Sequence, residues 1–174
     1  DFQDLYRTQV GPTSNGTSIN VSTTNPVPAW YSSSGGLTIT NSGSAGITAN
    51  LTGTVYVSGG ASDSLLVGKT NQDFTLDLNG QTLFVDSTSN GNEFGTKVSI
   101  NGSGAIVTYG DVLFKPKMVT APTDFVFVMS INGTVDFQPQ GNFYGSLAGG
   151  ATPGVSISLW PGNTATLTTP TPGE

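Results

Sequence analysis

Apolar residues do not recur at a single spacing along this chain. Over the first ten residues, Phe2, Leu5, Tyr6 and Val10 fall at i, i+3, i+4 and i+8, a spacing that places side chains on one face of a helix. Gly11 and Pro12 follow at once. Glycine takes the left-handed conformation that closes a helix, and proline cannot continue one. The spacing predicts a short helix over residues 2–10, with an extended arm as the alternative. Residues 11–35 are rich in Ser, Thr, Asn, Gly and Pro, and their strand-like pieces, such as Ile19-Asn20-Val21, are short. This stretch reads as a surface-hugging connection.

From residue 36 the pattern is almost purely that of strands. Short runs that alternate, or are rich in β-branched and aromatic residues, lie at 37–40, 54–57, 74–78, 82–85, 97–100, 105–109, 112–114, 125–131, 134–137, 143–147, 155–159 and 165–168. Most are bounded by Gly, Asn, Asp or Pro, as strands are. The prediction is an all-β fold in three parts: an N-terminal helix or arm with its connection (residues 1–35), a β-domain (36–168), and a Thr/Pro tail (169–174).

The turns narrow the architecture. Asn-Gly occurs at 15–16, 79–80, 90–91, 101–102 and 132–133, and Gly-Asn at 91–92, 141–142 and 162–163. Both residues tolerate positive φ, so these pairs permit tight corners. In a β-sandwich with an N-terminal extension, Leu78-Asn79-Gly80-Gln81 is a two-residue hairpin. In a right-handed β-solenoid such corners recur once per coil, every roughly 20–30 residues. The separations from Asn79 to Asn101, Asn101 to Asn132 and Asn142 to Asn163 fit the solenoid, which is the preferred reading, with the sandwich as the alternative.

Composition excludes several kinds of chemistry. The 174 residues are enough for one domain with a real core. Only 9% are charged and the net charge is −6, so Ser, Thr, Asn and Gln must supply the polar surface, as suits a protein outside the cell or on its surface. The basic residues are Arg7, Lys69, Lys97, Lys115 and Lys117, far apart in sequence and forming no stripe. Nucleic acid and anionic membranes, which select clustered Lys and Arg, are not expected partners. With neither Cys nor His, there is no disulfide, thiolate metal site, catalytic Cys or His-based triad. No cofactor is expected. No apolar run reaches membrane-spanning length and no signal peptide is present, so an exported protein would be seen here in mature or trimmed form.

The segments LTGTVYVSG, LDLNGQTLFVD, INGSGAIVTYGDVLFK, DFVFVMSINGTVDFQPQGNFYGSLAGG and VSISLWPGNTATLT, between residues 36 and 168, resemble the β-solenoid ectodomains of pilin-like proteins, including large minor pilins of type IV pilus systems. The resemblance implies a succession of β-coils behind a long N-terminal helix that packs into a filament core. The decamer carrying Phe2, Leu5, Tyr6 and Val10 would be the end of that helix and the assembly contact. The apolar part of such a helix is not in this sequence. That leaves a soluble fragment, a split pilin whose core helix is another chain, or a different kind of filament.

Each remaining candidate site has a plainer alternative. Asn15, Asn20, Asn50, Asn101 and Asn132 head N-glycosylation sequons, and turn chemistry explains several of them equally. The Thr/Pro tail could carry O-linked sugar. Asp86, Asn90, Gly91 and Glu93 match part of a calcium loop, but Thr88 and Lys97 stand where ligands are needed. Asp63, Asp73, Asp77, Asp86, Asp111, Asp124 and Asp136 are candidates for glycosidase-like pairs, with Asp77 and Asp86 flanking one corner; capping of turns is the simpler role. Lys69, Lys97, Lys115 and Lys117 could form isopeptide bonds, though no partner is identifiable. Trp30, Tyr31 and Trp160 are candidate glycan contacts, against packing or subunit contact. Together these readings lead to a non-enzymatic structural subunit of an extracellular filament, self-associating or joined to a pilin core helix. A glycan-binding adhesin module is the alternative, and a β-helix enzyme acting on carbohydrate a third.

Overall fold

The computed structural model describes residues 14–117, 123–151, 154–157 and 165–167. These form coils of short strands. The first coil holds β1 (Ser18–Asn20) and β2 (Trp30–Ser32). The second holds β3 (Leu37–Thr40), β4 (Ile47–Asn50) and β5 (Val55–Ser58). The third holds β6 (Leu65–Val67), β7 (Phe74–Asp77) and β8 (Thr82–Asp86). The fourth holds β9 (Asn92–Phe94), β10 (Val98–Asn101) and β11 (Gly104–Thr108). The later coils hold β12 (Val112–Phe114) with β13 (Val126–Ser130), β14 (Val135–Phe137) with β15 (Phe143–Gly149), and β16 (Val155–Ile157) with β17 (Ala165–Leu167).

Every paired strand runs parallel to its neighbour in the next coil. The first sheet stacks β1-β3-β6-β9-β12-β14-β16, the second β4-β7-β10, and the third β2-β5-β8-β11-β13-β15-β17. The result is a parallel β-solenoid of about six turns, all-β among the described residues. The sandwich alternative is not what forms. Leu78–Gln81 joins strands of two different sheets, and Asn79 (φ 48°) and Gly80 (φ 76°) make it a corner rather than a hairpin.

The expected connection over residues 11–35 contains β1 and β2, so the described solenoid begins at Ser18. Ile19 pairs with Ile39, and Tyr31 with Tyr56. These runs are too short to announce themselves as strands, and they are completed by the coil above them. The expected helix over residues 2–10 and the 169–174 tail lie outside the described residues.

Parallel register sets like positions on top of one another. On the first sheet Ile19, Ile39, Val67, Phe94, Phe114 and Phe137 form one inward ladder. Phe114 and Phe137 lie nearly parallel with ring centroids 5.7 Å apart, and Phe143 from the third sheet meets Phe137 edge-on at 4.7 Å. Ala49, Leu76 and Ile100 line the second sheet, and Val55, Leu83, Ile106 and Val128 the third. All are buried in one continuous core.

Asn92 interrupts this core. It is buried in the ladder position that Val112 and Val135 fill in the next two coils. Its Nδ2 donates to the carbonyls of Ser89 and Asp111, both at 2.9 Å, and its Oδ1 accepts the Leu65 N–H at 3.0 Å. One side chain thus ties three successive coils at a corner where regular strand pairing stops. Asn92→Leu is nearly matched in size and more apolar, yet it removes the partner of three backbone groups, at Leu65 and Ser89 in the interior and at half-buried Asp111. It should cost about 1–3 kcal/mol in urea unfolding; an unchanged or raised midpoint would show that the ties contribute nothing.

Candidate functional site

The carboxylates expected as catalytic candidates are mostly occupied in holding the backbone. Asp63 accepts the N–H groups of Gly35 (2.9 Å) and Gly60 (2.8 Å). Asp77 accepts from Asn79 (2.9 Å) and Asp111 from Thr134 (2.7 Å). Asp86 accepts the Tyr56 hydroxyl at 2.6 Å. Asp77 and Asp86, which flank one corner in sequence, end strands of different sheets. Among the described residues, no cluster of three or more acids is placed to hold a metal ion. In the partial calcium loop, Asn90 accepts the Asp111 N–H and Glu93 pairs with lysines.

The lysines are not scattered. All four follow strands of the first sheet in three successive coils: Lys69 after β6, Lys97 after β9, and Lys115 and Lys117 after β12. Glu93 sits outward on β9, between Leu66 and Leu113 of the adjoining strands, and takes Lys69 at 3.0 Å and Lys115 at 3.3 Å. Asp73 takes Lys97 at 3.4 Å and also Lys117. Gly68 makes the tight corner possible: its φ is +60°, and a Cβ there would lie 2.4 Å from that of Val98. The Lys117 hydrogen bond, helped by the charges of Lys117 and Lys97, holds the Asp73 carboxyl below its ordinary range. For Glu93, burial pushes upward, and the hydrogen bonds and charges of Lys69 and Lys115 outweigh it, so the net shift is downward.

Beside this corner an open groove of about 570 Å³ crosses the second sheet. Asp73, Thr75, Ser99, Lys117 and Gln140 supply its polar groups. Nothing in the sequence marked this groove, because its walls come from five coils.

The candidate glycan aromatics lie elsewhere. Trp30 faces inward at the end of the solenoid, packs on the core, and donates its Nε1–H to the Gly16 carbonyl at 3.0 Å. Tyr31 faces outward, and with Tyr56 and Phe84 it forms a second, separate apolar cluster on the third sheet. Trp160 lies outside the described residues, as do Phe2, Leu5, Tyr6 and Val10.

The sequon asparagines are placed unevenly. Asn15 and Asn20 use their side-chain oxygens in turns, accepting the N–H groups of Tyr31 and of Ser22 and Ser42. Asn101 is half-buried at the end of β10. Asn50 and Asn132 are exposed. No helix of the described residues is long and apolar enough to cross a membrane.

No family model matches this sequence, and no curated protein or solved structure matches it.

The Glu93 geometry sets a pH dependence. A carboxyl whose pKa is lowered on folding contributes stability above its unfolded pKa and loses it as the pH falls through the folded value. Glu93→Gln should therefore lower stability near neutrality by about 0.5–1 kcal/mol, discounted because the lysines are partly exposed. The difference from the native protein should vanish in acid. Urea midpoints across a pH series check this; a gap that persists below the carboxylate range would contradict the ion-pair account.

Proposed function

We propose that this chain is a structural subunit, or pilin-associated ectodomain, of an extracellular filament, acting by assembly and surface display without catalysis. The observation that carries the reading is where the N-terminal segment joins the solenoid. Ser14 and Asn15 bond to Tyr31 on the edge strand β2, so the first described residues of the chain join the solenoid beside its one outward aromatic cluster among the described residues. The use of carboxylates and lysines in turns and ion pairs supports the non-catalytic part. Polar outward ladders such as Asn50, Asp77 and Asn101 suit a surface that faces water, and exposed Asn50 and Asn132 are the sequons best placed for sugar. The partner is another copy of this chain or a separate pilin core helix.

A second reading, glycan binding by an adhesin module, is favoured by the groove over the second sheet rather than by Trp30 or Tyr31. Its polar walls suit sugar hydroxyls, and Ser99 is one of the residues that line it.

Negative-stain microscopy of native material should show regular filaments; monodisperse particles alone would overturn the filament reading. On a glycan array, binding abolished by Ser99→Arg would favour the adhesin reading in its place.

A further inference from the structure

The second sheet presents its outward side chains in rows that run along the solenoid axis. Register places Thr48, Thr75 and Ser99 in one row, and Asn50, Asp77 and Asn101 in the next. At the corner just before these rows, backbone bonds carry the stacking through five coils. The Gly46 N–H donates to the Asp73 carbonyl at 3.1 Å, that of Phe74 to Lys97 at 3.0 Å, that of Lys117 to Val98 at 2.8 Å and that of Gln140 to Pro116 at 2.9 Å. The groove follows this corner. Gly46 lines it from the second coil, Asp73 and Thr75 from the third, Ser99 from the fourth, Lys117 from the fifth and Gln140 from the sixth. Its long direction is therefore the solenoid axis. Four inter-coil steps separate its ends, about 19 Å at about 4.8 Å each. At the Gly46 end it is open: a Cβ there would meet nothing within 4 Å among the described residues.

The charged groups along this face cancel. Asp73 is shared by Lys97 and Lys117, and Asp77, two positions beyond Thr75 on the same outward face, offsets the second lysine. Phe74 contributes to the lining, but its side chain belongs to the buried core. What the groove offers a ligand is the hydroxyls of Thr75 and Ser99, the amide of Gln140, and an ion pair with room for further hydrogen bonds. Each coil supplies its polar group in register with the last. A matching ligand is uncharged, rich in hydroxyls and repetitive, with a repeat close to the coil spacing. An extended β-1,4-linked chain of hexopyranoses has these properties: it is straight, and its sugars follow one another at nearly the distance between coils. An α-1,4-linked chain curls away from such a track.

We propose that the groove binds an uncharged, extended β-1,4-linked glycan lying along the solenoid axis, successive sugars on successive coils. This placement rests on the glycan reading of the groove for its class of ligand, and adds orientation, linkage and length. It holds whether or not the chain builds filaments.

Calorimetric titration of the full native chain with cello- and β-1,4-manno-oligosaccharides, from the disaccharide to the hexasaccharide, tests it. Affinity should climb several-fold with each sugar up to about four or five, the number that about 19 Å accommodates, and then level off. Levelling at the disaccharide or trisaccharide would overturn the axial placement, because it would lay the glycan across the sheet, where a strand of 4 residues spans only about 13 Å. Malto-oligosaccharides and β-1,4-linked oligomannuronates should each bind about tenfold more weakly. Equal binding of either would overturn the stated linkage or charge and leave the adhesin reading standing. Ala45→Arg and Gln140→Arg, at opposite ends of the groove, should each weaken hexasaccharide binding about tenfold with Tm unchanged; an effect from one end alone would overturn the proposal. The length series needs no variant, so it decides the matter even if a variant misfolds. No binding by any of these sugars would overturn this proposal and the adhesin reading together.

Discussion

Parallel, in-register pairing between coils is the constraint on which the rest of this molecule depends. Once β3 lies on β6 and β6 on β9, every inward position must accept the side chain directly above it. Like stacks on like because the pleat has a period of two and the strands share a direction. The Phe94, Phe114 and Phe137 ladder and the Ile39–Val67 step below it follow from this. The position of Asn92 is consistent with it: this polar side chain enters the ladder where pairing with β6 has lapsed and backbone groups are left to be satisfied.

The same constraint moves all variation to the corners. Coil lengths differ, and the extra residues loop out between strands without shifting the ladders. The corner from β6 to β7 runs from Gly68 to Asp73, while that from β9 to β10 needs only Gly95, Thr96 and Lys97. This is why the lysines could not be gathered from sequence. Lys69, Lys97, Lys115 and Lys117 have no common spacing, and only the register shows that they occupy equivalent corners around Glu93 and Asp73. The groove over the second sheet was illegible for the same reason. By contrast, β-structure and a tight corner at Asn79-Gly80 were legible, because alternation and positive-φ residues are local properties. The Asn-Gly pair at 101–102 also supplies a positive φ, at Gly102.

The first coil shows where local reading stops. Ile19 and Tyr31 sit in runs of three residues among Ser, Thr and Pro, and such runs do not hold as strands alone. They form strands because β3 and β5 offer them complete parallel partners. The aromatic cluster on the third sheet has a related origin. Along β5, Val55, Tyr56, Val57 and Ser58 are all buried, so the strand is covered on both faces. A continuous apolar run of this kind signals two-sided burial. At four residues it is also compatible with one apolar face and a chance aromatic, and only the alignment of Tyr31, Tyr56 and Phe84 across three coils separates the two.

A solenoid that ended on bare strands would invite further strands to add to it without limit. Here the end that carries β1 and β2 is closed by the chain. Asn15 takes both the N–H and the carbonyl of Tyr31 on the outer edge of β2, and the Asn20 carbonyl at the end of β1 accepts from Thr23 and Thr24. Trp30 lies across the core beneath them, anchored to Gly16. End-to-end growth by strand addition at this end is therefore opposed by hydrogen bonds already made. A partner meeting this end finds side chains and occupied backbone groups rather than an open strand edge.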